Sequence, residues 1–349
     1  MAARKSGAST AGKFLAETGR RPTSYDVARL AGVSQSAVSR CFAPNASIAP
    51  AKRELILKVA REIGYRPNAL AQALISKRTN LVAVLISNLT NLYYPEVLSG
   101  LAGALNNRDI RVLLFNLAGE SEVDSVIDQI WRHSVDGVIS AARLSDSQLA
   151  EFAEHRIPVV MYNRMAGGEN AASVRCDSSA GERELVRRLV ATGHRNFGVI
   201  AGPADSYVGE ERRLAALATL AEAGLPAPPE VRGDFSYESG RSGLLELARG
   251  KKTLDAVICA SDLMAIGAMD AARIDLGRAV PDDLSIVGFD GSGPATWASY
   301  ALTTVRQPVE RMTEAAVAML MERIEDAEAP AEQRLFSGQL IAGRSGRLA

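Results

Sequence analysis

Two groups of side chains in this sequence have the types and spacing to do chemistry. The first is compact: Ser34-Gln35-Ser36, followed one helical turn later by Arg40, sets a carboxamide, hydroxyls and a guanidinium on one short stretch. Carboxamides and guanidinium groups make paired hydrogen bonds to base edges. The second is dispersed over the ends of apolar runs: Ser87 to Pro95, Asn163-Arg164, Ser206, Arg212, Phe235, Ser261-Asp262 and Asp290. In that set Asp290 can accept from paired hydroxyls, Arg212 and Asn163 can donate, and Tyr94 or Phe235 can cover an apolar ring face, a mixture that suits a sugar. Asn163-Arg164, an amide beside a cation, leans toward a sugar acid or sugar phosphate over a neutral sugar. Plainer readings stand beside these. Arg212, next to Arg213 on a helix, could be a surface residue, Tyr93 and Tyr94 could be packing residues, and Asp262 reads as a helix N-cap.

Catalytic arrangements are missing from the pattern. The sequence holds no GxSxG elbow, no GxxxxGK[ST] loop and no GxGxxG after a strand, and His133, His155 and His194 are scattered without metal-ligand spacing. The run Gly288 to Gly293 is glycine-rich but ends a strand and offers no lysine for phosphate. Cys41, Cys176 and Cys259 stand alone, which predicts reduced thiols and neither a disulfide framework nor a zinc site. The expectation is a protein that is not an enzyme, needs no cofactor or metal, and resides in the cytoplasm, with no export signal and no membrane-spanning segment.

The elements that must position these residues divide by charge. Formal net charge is zero, yet residues 1–80 hold 14 Lys and Arg against 4 Asp and Glu, and the remainder 26 against 36. A basic head suited to a polyanion precedes an acidic body. Residues 1–22 read as a disordered basic arm. Thr23-Ser24 can cap a first helix with Val27, Leu30 and Ala31 on one face, Gly32 breaks it, and Ser34 can cap a second helix carrying Ala37, Val38 and Arg40. That is helix-turn-helix spacing, in which the second helix aims Gln35, Ser36 and Arg40 at base edges; a plain helical hairpin with a glycine turn has the same outline. A third helix, Pro50 to Ile63, has Leu55, Ile56, Val59 and Ile63 as its core stripe. The following Ala69-Leu70-Ala71-Gln72-Ala73-Leu74 is too short to be a stable isolated helix and needs a partner.

Tyr25-Asp26-Val27-Ala28-Arg29-Leu30-Ala31-Gly32-Val33-Ser34, then Ala37-Val38-Ser39-Arg40, then Gly64-Tyr65-Arg66-Pro67-Asn68-Ala69-Leu70-Ala71 resembles the LacI/GalR family of repressors, and the resemblance runs through nearly all of the chain from Thr23. It implies that Gln35 and Ser36 hold the specificity positions, that Arg40 contacts base or phosphate, that Tyr25 anchors the backbone, and that Ser24, Ser34 and Ser39 join the DNA contacts. It implies further that Asn68 to Ile75, with Ala71, is a hinge helix in the minor groove, and that Leu74 wedges into a central base step; packing of Leu74 on the neighbouring domain is the alternative. Two departures from the family pattern, Ala49 where a Ser or Thr usually caps the third helix and Ala43 where Asn is common, touch no predicted base contact. For the body the resemblance assigns Asn88, Tyr93, Tyr94, Asn163, Arg164, Arg212, Phe235, Ser261 and Asp290 to an effector pocket.

Beyond Lys77-Arg78-Thr79-Asn80 the chain alternates helical segments with apolar β-type runs at Leu81–Ile86, Arg111–Asn116, Gly137–Ser140, Pro158–Tyr162, Asn196–Ala201, Asp255–Cys259 and Leu284–Asp290. Runs that are apolar throughout belong to parallel strands buried on both faces. So many βα repeats overfill one sheet, which predicts two doubly wound lobes divided near Asp177. The expected architecture is an all-α helix-turn-helix head over residues 23–66, a hinge helix and linker over 67–80, and an α/β periplasmic-binding-protein-like body over 81–349. Lobe 1 takes about 81–177 and 308–336, and lobe 2 about 178–307 and 337–349. The resemblance implies three crossings between lobes, one of them near Gln307-Pro308. The expected partners are a near-palindromic double-stranded operator, a small hydroxylated effector in the interlobe cleft, and a second copy of the chain, as dimer or tetramer. A solute-binding protein would share the body's fold but would lack the basic head and carry a signal peptide.

Overall fold

The computed structural model describes residues 14, 18–42, 47–66, 78–87, 89, 91–117, 122–165, 171–250 and 253–348. The expectations for most of the arm, for Ala43, for the hinge with Asn68, Ala71 and Leu74, and for Asn88 lie outside the described residues. What is described falls into two units, divided after Thr79.

The head contains α1 (Ser24–Ala31), α2 (Gln35–Phe42) and α3 (Pro50–Ile63). Thr23 begins α1 by donating both its backbone N–H and its hydroxyl to Asp26 (2.9 and 2.8 Å). Gly32, at φ +61°, ends it in the left-handed conformation that glycine adopts without strain. Ser34 then caps α2, its hydroxyl accepting from the Ala37 N–H at 3.3 Å. Ala49, in contrast, gives α3 no side-chain cap. Val27, Ala31, Ala37, Val38, Ile56, Val59 and Ile63 form the core. Two expected core residues are corrected. Leu30 and Leu55 are exposed, because the buried set on α3 is Ile56, Val59, Ala60 and Ile63, at the i, i+3, i+4, i+7 spacing that Leu55 misses by one position. On α1 the buried stripe runs through Val27, Ala28 and Ala31.

The body has two six-stranded sheets. Sheet 1 contains β1 (Leu81–Ser87), β2 (Arg111–Leu117), β3 (Gly137–Ser140), β4 (Val159–Tyr162), β5 (Ala172–Cys176) and β11 (Gln333–Phe336), in the order β11-β5-β4-β3-β1-β2, parallel throughout. Sheet 2 contains β6 (Phe197–Ala201), β7 (Glu230–Arg232), β8 (Ala256–Cys259), β9 (Ser285–Asp290), β10 (Thr303–Arg306) and β12 (Gln339–Ile341), in the order β12-β10-β9-β8-β6-β7, with only the β10–β12 pair antiparallel. Each sheet thus repeats one doubly wound order and adds one strand from the chain's end.

Strand β1 shows why continuous apolar runs were needed: Val82, Val84 and Ile86 face one layer, Ala83 and Leu85 the other. In lobe 1, α4 (Tyr93–Asn106) and α11 (Val309–Glu325) cover one face, while α5 (Val123–His133) and α6 (Asp146–Glu154) cover the other. In lobe 2 the corresponding pairs are α7 (Ser178–Ala191) with α8 (Tyr207–Glu222), and α9 (Tyr237–Ala248) with α10 (Asp262–Asp270). Helices α9 and α10 approach so closely that a Cβ at Gly240 would collide with the backbone of Met264, and one at Gly267 with that of Tyr237. The chain passes between lobes after β5, after β10 and after β11. These passages lie side by side: the Asp177 N–H donates to the Phe336 carbonyl at 2.8 Å, and Gly338 fits against Val305, Arg306 and Cys176.

Candidate functional site

In the head, α2 presents the predicted base-reading residues on its outer side. Ser36 and Arg40 are exposed, Gln35 and Ser39 half-buried, and the Tyr25 ring is 72% exposed. The Gln35 amide donates to the Ser24 hydroxyl (3.4 Å), the Ser34 and Ser36 hydroxyls pair at 3.0 Å, and Arg40 Nε donates to the Ser36 carbonyl at 3.4 Å. These bonds tie the polar surface of α2 to α1 and to its own first turn. Beneath them, Arg20 grips the buried Asp26 carboxylate with two bonds of 2.7 and 2.9 Å, and holds that carboxyl well below the usual range. Gln35, Ser36 and Arg40 therefore project from a fixed frame, as reading a groove requires.

In the body, the carboxyl ends of the two sheets open onto a cleft of about 610 Å³. Tyr93 and Tyr94 reach it from the start of α4, Asn163 and Arg164 from the end of β4, Arg212 from α8, Phe235 from beyond β7 and Asp290 from the end of β9. Tyr93 and Tyr94 also belong to the lobe 1 core, so packing and lining coexist in them. One hydrogen-bonded chain runs along the floor. Asn163 Nδ2 donates to the Tyr93 hydroxyl (2.9 Å) and to Gln307 Oε1 (2.7 Å); Gln307 Nε2 donates to Asp290 Oδ1 (2.8 Å), which also accepts from Arg212 Nη2 (3.1 Å). Arg212 Nη1 continues to the Ala260 carbonyl at 2.7 Å, and the guanidinium lies 3.8 Å from the centre of the Phe289 ring. Arg212 and Asp290 are each only 4% exposed. Arg212 is thus no surface residue but half of a buried ion pair.

Backbone strain collects at the same place. Asn163, Phe235 and Asp290 have φ of +51°, +66° and +130°, conformations that cost non-glycine residues about 1–3 kcal/mol each. Such conformations persist where surrounding contacts fix them, and here they aim side chains from strand ends into the cleft.

The electrostatics are one-sided. Burial and repulsion from Asp290 push the Asp262 carboxyl up to about 7, and burial raises Asp290 too, against the pull of Arg212. Glu182 on α7, buried beneath Arg212, is pushed by burial up to about 8; its Oε1 and Arg212 Nε have no hydrogen-bond partner among the described residues. On the opposite side, Tyr93 is held protonated by burial.

Two expectations need correction. Ser261 does not reach the cleft: it is fully buried, and its hydroxyl accepts from the Met264 N–H at 3.4 Å as the N-cap of α10. Asp262 is therefore the first helical residue, and its carboxylate accepts from Thr304 Oγ1 (2.5 Å) and the Ser292 N–H (2.7 Å). The extended backbone of Ser261 decides the matter, because a cap must lie outside the helical region. Gln307, which joins the lobes' polar groups, is marked in the sequence only as a crossing point, and Glu182 carries no sequence signal.

Comparison with known proteins adds to this geometry. The model for bacterial regulatory proteins of the lacI family matches residues 23–68, and the periplasmic binding protein-like domain matches residues 186–346. The transcriptional regulator CelR of Thermobifida fusca is 32% identical over 95% of this chain and all of its own length. The solved CelR–cellobiose complex aligns with a TM-score of 0.70 at 32% identity, covering 93% of this chain and all of that one. The Lac repressor dimer bound to operator and the anti-inducer ONPF aligns with a TM-score of 0.84 at 25% identity, covering 95% of this chain and all of that one.

Proposed function

The chain belongs to the lacI family of bacterial regulatory proteins and is a DNA-binding transcriptional regulator rather than an enzyme, and we propose that it is a cytoplasmic repressor whose operator affinity is set by a neutral hydroxylated effector held between its lobes. The observation that carries the effector reading is the chain Tyr93–Asn163–Gln307–Asp290–Arg212. It joins side chains of lobe 1, the crossover and lobe 2 at the point where both sheets end. A hydroxylated ligand exchanging bonds with these groups changes how one lobe is held to the other, which is the differential interaction an allosteric ligand needs. Because Arg212 is neutralised by Asp290, and Asp205 and Asp234 share the cleft with Arg164, the balance favours a neutral sugar over the sugar acid suggested by Asn163-Arg164 alone. CelR's crystallisation with cellobiose supports a carbohydrate.

In the head, Gln35, Ser36, Ser39 and Arg40 read bases in the major groove, while Ser24, Tyr25 and Ser34 contact the backbone. Two copies of the chain present two heads to a near-palindromic site, as the operator-bound Lac repressor dimer supports. Asn68, Ala71 and Leu74 remain assigned to the hinge and Asn88 to the effector on the family resemblance.

The test is a thermal melt against neutral sugars, sugar acids and sugar phosphates, followed by anisotropy of a duplex selected from a random library. A ligand at ~100 times its Kd adds about 2.7 kcal/mol, or several degrees at this size. The hit should shift duplex affinity, and Asp290→Ala should abolish both effects. A sugar shift that survives Asp290→Ala, or no shift with any sugar, rejects the effector reading; Gln35→Ala that leaves base preference unchanged rejects the groove assignment.

A further inference from the structure

The cleft continues past the hydrogen-bonded floor. A second compartment of about 830 Å³ opens beside the first, and the two share Arg164 of lobe 1 and Asp205-Ser206 of lobe 2 as walls. Pockets for one small ligand span ~300–1,000 Å³, so the inner compartment of about 610 Å³ already suffices for a single sugar ring. The outer compartment is a separate volume with its own lining. From the effector reading above, on which this inference rests, we propose that the effector is an oligosaccharide of at least two sugar units, one in each compartment, with the linkage passing between Arg164 and Asp205-Ser206.

The chemistry of the outer walls supports a sugar unit there. Tyr207 and Met165 are large, exposed side chains that line only this compartment, one from each lobe. An aromatic ring and a thioether give the apolar surfaces on which the C–H face of a pyranose settles. Tyr207 is held in place: its hydroxyl accepts from Arg175 Nη1 at 3.2 Å, with the guanidinium carbon 5.9 Å from the ring centre. Glu210 supplies a carboxylate fixed by Arg213 and Arg232, at 2.6 and 2.8 Å. Arg143 and Arg164 are matched by Asp146 and Asp205, with Glu210 already paired to Arg213 and Arg232, so the lining of the outer compartment has no positive excess.

The test is calorimetric titration of the full chain with glucose, galactose, mannose and xylose, and with cellobiose, maltose, lactose, mannobiose and xylobiose. The preferred disaccharide should bind at least about ten-fold tighter than its monosaccharides. The double variant Met165→Ala/Tyr207→Ala should remove that advantage while leaving monosaccharide affinity within about two-fold. Ala204→Trp, which fills the outer compartment from an exposed turn, should do the same by obstruction. Equal affinity for one and two units in the wild type, or variants that weaken both alike, overturns the two-compartment inference and leaves the effector reading standing. Failure of every saccharide of either length overturns both.

Discussion

The two lobes share a strand order and differ in what they place at the ends of those strands. Apart from Arg164, lobe 1 brings neutral groups: the Tyr93 and Tyr162 hydroxyls and the Asn163 amide. Lobe 2 brings buried charge, with Arg212 and Asp290 paired, Asp262 behind them and Glu182 beneath. Topology therefore fixes where a site forms, and the chemistry of each half is chosen separately. Lobe 2 resembles a preorganised template whose charges were desolvated during folding; lobe 1 supplies hydrogen bonds that are cheap to exchange.

The largest effect should come from breaking lobe 2's ion pair. Arg212→Met leaves Asp290 buried without its cation and should cost about 3–5 kcal/mol, read by denaturant unfolding of the body, together with loss of ligand-induced stabilisation. A loss no larger than that of a neutral contact would erase the distinction. Next comes pH. Glu182, pushed up to about 8, keeps in the folded state a proton that the unfolded chain releases near its ordinary value of 4.5. Its share of stability is complete below that ordinary value and is lost as pH rises through about 8. The melting temperature should fall between pH 5 and pH 9, at about 2–4 °C per kcal/mol, and Glu182→Gln should flatten the fall. An unchanged slope would mean that Glu182 is not the group responsible.

The third comparison concerns stiffness. Gly240→Ala drives a methyl into the Met264 backbone, whereas Gly100→Ala in lobe 1 meets only the Thr313 side chain, at 2.8 Å. Both overpack by about 1–3 kcal/mol, with Gly240→Ala at or above the top of that range because a backbone cannot rotate aside. Equal losses in chemical denaturation would argue that the lobes yield alike. The smallest effect belongs to Tyr93→Phe, which removes the hydroxyl that accepts from Asn163 and should cost about 0.5–1.5 kcal/mol, with lobe 2 undisturbed.

Legibility in the sequence followed the length of the apolar run. Seven strands were visible: six are apolar runs inside the sheets, and β2, an edge strand that is only partly buried, shows through Val112 to Phe115. Strands β5, β7, β10, β11 and β12 were not: Ser173 and Arg175 interrupt β5, β10 is buried but offers only Val305 among Thr303, Thr304 and Arg306, and the other three are short, polar and at sheet edges. The regulatory family could be read from short exact motifs in the head, where spacing encodes geometry directly. Within the cleft, residues at strand ends could be anticipated, but Ser261 could not be told from its neighbour, since Ser and Asp both cap helices and only the backbone angle decides. Glu182 lies in a segment, Ser178 to Ala191, dense with Arg and Glu, and one buried carboxylate among solvated ones leaves no periodic trace.

The three passages between the lobes, packed together at Asp177, Gln307 and Gly338, have a mechanical meaning. A single connecting strand would act as a swivel, leaving the lobes several independent rotations. Three strands clamped side by side behave like the leaves of a strip hinge, compliant in bending across the strip and stiff in torsion and in stretch. Any change of state in the body is thereby reduced to one coordinate, an opening angle. A small molecule at the cleft floor acts with a short lever arm on that angle, and the far ends of the lobes move through the longest arc.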